Sequence, residues 1–194
     1  MLFAVVLAVG LATIPPAGGR FAVLAELPIR RRWLLVAALV VQIIDISVLR
    51  RPPHAVAAGL HLLSYALAGA FLLANRRLRG LPTTALGGLL NVVAIAANDG
   101  TMPASPSALR LAGIAADHQH FANSAAVAGA RLGVLGDVFA VPHRFGIANV
   151  FSVGDVVVCC GAILLLHAGA GSPWATRRKL TEPLSPRRAA GGSL

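Results

Sequence analysis

Asp137 in Leu-Gly-Asp and Asp155 in Phe-Ser-Val-Gly-Asp carry the best-placed chemistry of this chain, eighteen residues apart. Pro142 and Gly146 between them supply a bend, so a hairpin would bring one carboxyl back toward the other. Two carboxylates a few ångströms apart cannot both ionise easily: one keeps its proton and the other acts as base toward water. Asp137 and Asp155 are therefore candidate catalytic residues of a membrane aspartyl hydrolase or peptidase. A plainer role competes with that one. Ser152 with Asp155 three positions on fits a capping box, in which the hydroxyl accepts from the backbone and the carboxylate returns a bond at the positive end of a helix. For Asp137 the plainer role is to bond local amides or to pair with Arg131 or Arg144. Structural capping outweighs catalysis in this reading.

A wider polar cluster surrounds the pair. It comprises Asp45 and His61, which share a depth in adjacent apolar segments, with Asn98, Asp99, Asn123, Ser124 and Ser152. Polar side chains in apolar segments are costly and face partners or water, so an Asp45–His61 contact between helices is expected. Asp117-His118-Gln119-His120, with His143, has metal-ligand chemistry. His-x-His presents both rings on one face only in an extended strand, however, and no zinc-protease helix motif occurs, so no metal and no cofactor are assigned. Cys159 and Cys160 are adjacent, where helical side chains diverge by about 100°, and imply no disulfide.

The elements that must position these residues are apolar. Hydrophobic residues make up 57% of the 194 positions and charged residues 12%, and mean hydropathy is +0.76. Five stretches approach the roughly 20 residues that cross a bilayer, at 2–17, 33–49, 55–73, 81–97 and 150–168. They lack the alternation of barrel strands, so the expected fold is all-α: a polytopic helical membrane protein with five transmembrane helices and short helices in an outer segment. The membrane domain spans 1–172, and 173–194 is a basic cytoplasmic tail expected to be disordered. The outer segment, 98–149, is far longer than an ordinary connection. Ser105-Pro106 starts a short helix to about Ala116, with Leu109, Leu111 and Ile114 toward the membrane, and a second helix is expected from Asn123 or Ser124 to about Gly136.

Charge sets the expected orientation. Twelve of the 17 Lys and Arg fall between spans one and two, between spans three and four, or in the tail, while Arg50, Arg51, Arg110, Arg131 and Arg144 lie on the other face with all five aspartates. Positive charge collects on the cytoplasmic side, which predicts a cell-membrane protein with its amino terminus outside and its carboxyl terminus in the cytoplasm. The pI near 11.7 then reflects topology and contact with anionic lipid, not nucleic acid. Membrane lipid and a second membrane protein are the expected partners.

The motifs Asn98-Asp99-Gly100-Thr101-Met102-Pro103, Phe121-Ala122-Asn123-Ser124, Leu135-Gly136-Asp137 and Phe151-Ser152-Val153-Gly154-Asp155 resemble a bacterial, chiefly actinobacterial, family of small multi-pass membrane proteins classed only as a domain of unknown function. That resemblance covers about residues 1 to 170 and implies no activity. Phe151 to Asp155 is also similar to the Phe-Asn-x-Ala-Asp pattern of the lipoprotein signal peptidase, which implies a catalytic Asp155 with Asp137 as partner. Ser152 stands for Asn, Gly154 for Ala, and Val138 where that family has Arg. Three function classes follow: a non-enzymatic membrane assembly or partner-binding protein, which is preferred; an aspartyl hydrolase at the outer leaflet; and a small transporter.

Overall fold

A computed structural model of the chain describes residues 2–44, 54–114, 124–125, 129–146 and 148–176. The element order is α1 (Leu2–Ala12), α2 (Phe21–Ala25), α3 (Arg32–Ile43), α4 (His54–Ala74), α5 (Leu81–Ala97), β1 (Met102–Pro103), α6 (Pro106–Ala112), β2 (Ser124–Ala125), β3 (Asp137–Val141), β4 (Asn149–Ser152) and α7 (Val153–Gly169). The long helices follow apolar runs that carry no proline beyond the first turn. Gly80 at φ +94 with Pro82 in the first turn starts α5, as a positive-φ glycine and an early proline should.

Two expectations of fold class are corrected. Among the described residues no helix is long and apolar enough to cross a membrane, so the five predicted transmembrane helices are not present as such. At 1.5 Å per residue, the 11 residues of α1, 12 of α3 and 17 of α5 and α7 fall short of a hydrocarbon core of about 30 Å. The longest helix, α4, has 21 residues and carries His54, His61, Ser64 and Tyr65 in its first twelve. The fold is also not all-α. β1 pairs in parallel with β2, and β3 pairs antiparallel with β4.

The molecule is organised on one helix pair. α5 and α7 run antiparallel at backbone contact, Gly80 lying against Gly161 and Leu165, and Gly87 against Gly154 and Val158. The glycines are spaced by seven on both helices, which keeps them on one face through two turns. A Cβ on Gly87 would sit 2.5 Å from the Gly154 carbonyl oxygen and 2.6 Å from the Val158 nitrogen. No side chain fits there, so the helices meet main chain to main chain. α1 packs on α7 through Gly10, whose Cβ position is 3.2 Å from Leu166. α3 and α4 pair with each other and reach the rest through Leu34, Phe71 and Leu81, backed by Leu165.

The 98–149 segment differs from its expectation in one half. α6 starts at Pro106 as predicted and ends at Gly113 in the left-handed conformation of a helix C-terminus. Leu109 does not face a membrane: it is buried with Ala104, Ala108, Ala112 and Val150, and Ile114 packs against them, while Leu111 alone of the three points outward. No helix runs from 124 to 136 among the described residues. Gly129, Gly133 and Gly136 penalise one, Leu132 has φ +52, and the chain makes a short 3-10 turn at Gly133–Leu135 before the Val-Phe-Ala-Val alternation of β3.

The glycine seam makes adjacent residues respond oppositely to one methyl group. Gly87→Ala is expected to lose about 2–3 kcal/mol of stability through overpacking. Gly88→Ala, at a site where a Cβ meets nothing within 4 Å, is expected to gain up to about 1 kcal/mol from helix propensity. Thermal unfolding followed by circular dichroism checks both, and equal effects would contradict the seam.

Candidate functional site

The amino-terminal end of α7 is where the polar motifs converge. β4 delivers Ser152 directly to the helix start, with φ −96 and ψ 170, and its Oγ accepts from the Asp155 N–H at 2.9 Å. Asp155 Oδ2 accepts in return from the Ser152 N–H at 3.0 Å, completing the capping box that the spacing predicts. Asn91 of α5 closes the arrangement: its Nδ2 donates to Asp155 Oδ1 at 2.8 Å, and the Ser152 hydroxyl donates to its Oδ1 at 2.8 Å. Both carboxylate oxygens are thus occupied, and Ser152 is completely buried. Hydrogen bonds to an ionised acceptor are the strong kind, so Asp155 locks α7 to α5.

Asp137 reaches the same end by a different route. In the β3–β4 ladder it is the register partner of Ser152, with an irregularity before Phe139, and Phe139 stacks on Phe151 at a centroid distance of 5.3 Å. It also bridges Ala104 in parallel, and its carbonyl accepts from the Ser105 N–H at 3.0 Å. The bend at Pro142 and Gly146 is therefore the hairpin the sequence predicts, and it places both aspartates at one end of α7. Asp137 is 5% exposed. Gly136 passes so close to Pro103 that a Cβ would contact its carbonyl group.

Asn98 contributes a clip. Standing at the C-cap of α5, it donates from Nδ2 to Ala94 O (2.8 Å) and Arg131 O (2.7 Å), and accepts the Arg131 N–H at 2.9 Å. Asp99 follows with φ +54, a conformation that Asp tolerates better than most residues. Asn75, one residue past α4, repeats the device. Its Nδ2 donates to Phe71 O (2.9 Å) and Arg30 O (2.8 Å), and its Oδ1 accepts the Arg30 N–H at 2.8 Å. Asn75 was not singled out by the sequence; the shared Ala-Asn at the end of an apolar run was the available signal.

The remaining candidates divide. Ser124 lies in β2, opposite Met102. Asp45, Asn123, Asp117, His118 and His120 lie outside the described residues, as does the expected Asp45–His61 contact. His143 is in a short 3-10 turn beside Gly113, whose Cβ position is 2.8 Å from His143 Nδ1. His167 is buried: its Nδ1 is 2.9 Å from Ser172 Oγ, its Nε2 is 3.2 Å from Thr13 Oγ1, and its ring lies 4.8 Å from that of Trp174. It ties the end of α1 to the turn after α7.

The charge on Asp155 is felt by its neighbours. Burial first, and then the Asp155 carboxylate, push the Tyr65 phenol above its ordinary value. Burial, Asp155 and Cys160 in that order push up the Cys159 thiol. Both groups stay protonated at neutral pH, which leaves Cys159 an unreactive packing residue.

Ser152→Ala removes the cap acceptor and one partner of Asn91, with an expected cost of about 2–4 kcal/mol. Ser105→Ala at the start of α6, where no side-chain cap bond forms, is expected to cost less than about 0.5 kcal/mol. Denaturant unfolding of both variants checks the difference.

No curated protein and no solved structure matches the chain. One family model does, over residues 26–167, which takes in α3, α4, α5, the hairpin and nearly all of α7. The residues it spans include both asparagine clips and the complete Asn91–Ser152–Asp155 ring. The chain belongs to the family of unknown function DUF5317.

Proposed function

We propose that the protein is a non-enzymatic, membrane-associated assembly or partner-binding protein. The observation that carries this reading is the distribution of its large side chains. Small residues fill the helix seams, so the bulky aliphatic groups face outward. Val36, Leu39, Val40 and Ile43 make an exposed stripe along α3, Leu86, Leu89 and Val93 another along α5, and Leu62 and Leu73 of α4 are 71% and 70% exposed. Exposed aliphatic rows on three helices are an arrangement that chains surrounded by water rarely maintain. Lipid acyl chains and the apolar face of a membrane partner are the surroundings that suit it.

The closed hydrogen-bond ring supports the non-enzymatic part. Both Asp155 oxygens already accept from the fold, so a substrate water would compete with the bonds that hold the start of α7 to α5. A second reading, an aspartyl hydrolase using Asp137 and Asp155, is favoured by one observation, the register that aligns Asp137 with Ser152. It expects cleavage of a membrane-anchored peptide that Asp137→Asn and Asp155→Asn each abolish. Absence of turnover by the wild-type chain removes it.

Flotation of the full-length chain with phosphatidylcholine vesicles tests the membrane reading. Recovery with the vesicles that survives high salt is expected, because apolar contact is not screened by ions. Recovery at the bottom of the gradient, or release by salt, contradicts it.

A further inference from the structure

We infer that the end of the molecule opposite the aspartates binds one anionic phospholipid, its phosphate held by Arg30, Arg31, Arg76 and Arg77 and an acyl chain laid between α4 and α5. The inference rests on the membrane-associated reading above and names the lipid chemistry it would select. Four arginines line a recess of about 550 Å³, formed where the loop before α3 meets the turn after α4, and its lining contains no acidic residue. Arginine forks match phosphate oxygens in bidentate geometry, and four guanidinium charges favour a headgroup with net negative charge over a zwitterionic one.

The recess is built in advance. The Asn75 side chain is 3% exposed and clamps both main-chain groups of Arg30, so the two arginine-bearing loops are fixed to each other before any ligand arrives. Arg31 beside the clamp has φ +51, a left-handed conformation that non-glycine residues seldom adopt and that surrounding structure must hold. Strain of this kind concentrates at ligand clamps.

Leu73 and Arg76 belong both to this recess and to a cleft of about 720 Å³ between α4 and α5. That volume lies in the range of ligand sites, roughly 300–1,000 Å³. Ala68, Leu72, Ala85, Leu89 and Val92 line the cleft. Its width is kept by Gly69 of α4 and Gly88 of α5, where a Cβ would meet nothing within 4 Å. A charged recess continuous with an apolar cleft fits an amphiphile. Free phosphate would use the first and leave the second empty.

Native mass spectrometry of the full-length chain in non-ionic detergent tests this, with phosphatidylglycerol, phosphatidylcholine and inorganic phosphate as separate probes. One retained phosphatidylglycerol per chain is expected, with little retention of phosphatidylcholine. Arg76→Gln and Arg77→Gln should each weaken retention by roughly fivefold. Gly88→Leu, whose Cβ meets nothing within 4 Å and whose side chain enters the cleft, should abolish it, and Gly69→Leu replaces that variant if its helical spectrum is lost. Wild-type retention in the glycine variants, equal retention of both lipids, or inorganic phosphate binding as tightly as the lipid overturns the proposal. Because this assay needs no vesicle, its failure is distinct from failure of the flotation experiment.

Discussion

Backbone contact between α5 and α7 is the constraint from which the remaining geometry follows. Helices approach this closely only where Cβ atoms are missing from both, and Gly80, Gly87, Gly154 and Gly161 remove them in matching register. Close approach alone leaves two cylinders free to slide. The Asn91–Ser152–Asp155 ring fixes the slide, because Asn91 is one turn beyond Gly87 and meets the first turn of α7 with two hydrogen bonds. Since β4 runs straight into that turn, the same lock sets the hairpin, and through Asp137 and Ala104 it sets the start of α6 as well.

A seam built of glycine has a consequence at the surface. Side-chain volume that does not enter the interior must lie outside it, and in this chain that volume is leucine, valine and isoleucine. The two ends of the helices are finished by the same asparagine clip, yet what the clips hold differs. At one end Asn98 holds Arg131 near the β3–β4 hairpin; at the other Asn75 assembles a basic recess. The described residues thus combine an apolar middle with a basic recess at one end.

Much of this was legible from residue order, where the signals are local. The apolar run 81–97 is helix α5 to the residue, and the Ser152–Asp155 box and the Pro142–Gly146 bend are both where spacing puts them. Local signals failed where tertiary contact decides. Apolar runs of membrane length became shorter helices because the 150–168 run spends its first residues in a strand and 2–17 bends after Ala12. Leu109 looked like a lipid-facing residue on composition, but the hairpin is there to cover it. The seven-residue glycine spacing was visible in both runs, and its meaning depends on which helices are neighbours, which one sequence does not state. Charge segregation was legible as a count; that Arg30 and Arg76 line one recess was not, since it depends on the long-range reach of Asn75.

The interaction on which most depends can be measured alone. A double-mutant cycle of Asn91→Ala and Asp155→Ala, read by equilibrium unfolding of the full-length chain, isolates the coupling between α5 and the start of α7. A charge-assisted bond in a partly buried ring predicts a coupling of about 1.5–3 kcal/mol. Additive losses, with coupling below about 0.5 kcal/mol, would contradict the account and return Asp155 to the list of groups free to do chemistry.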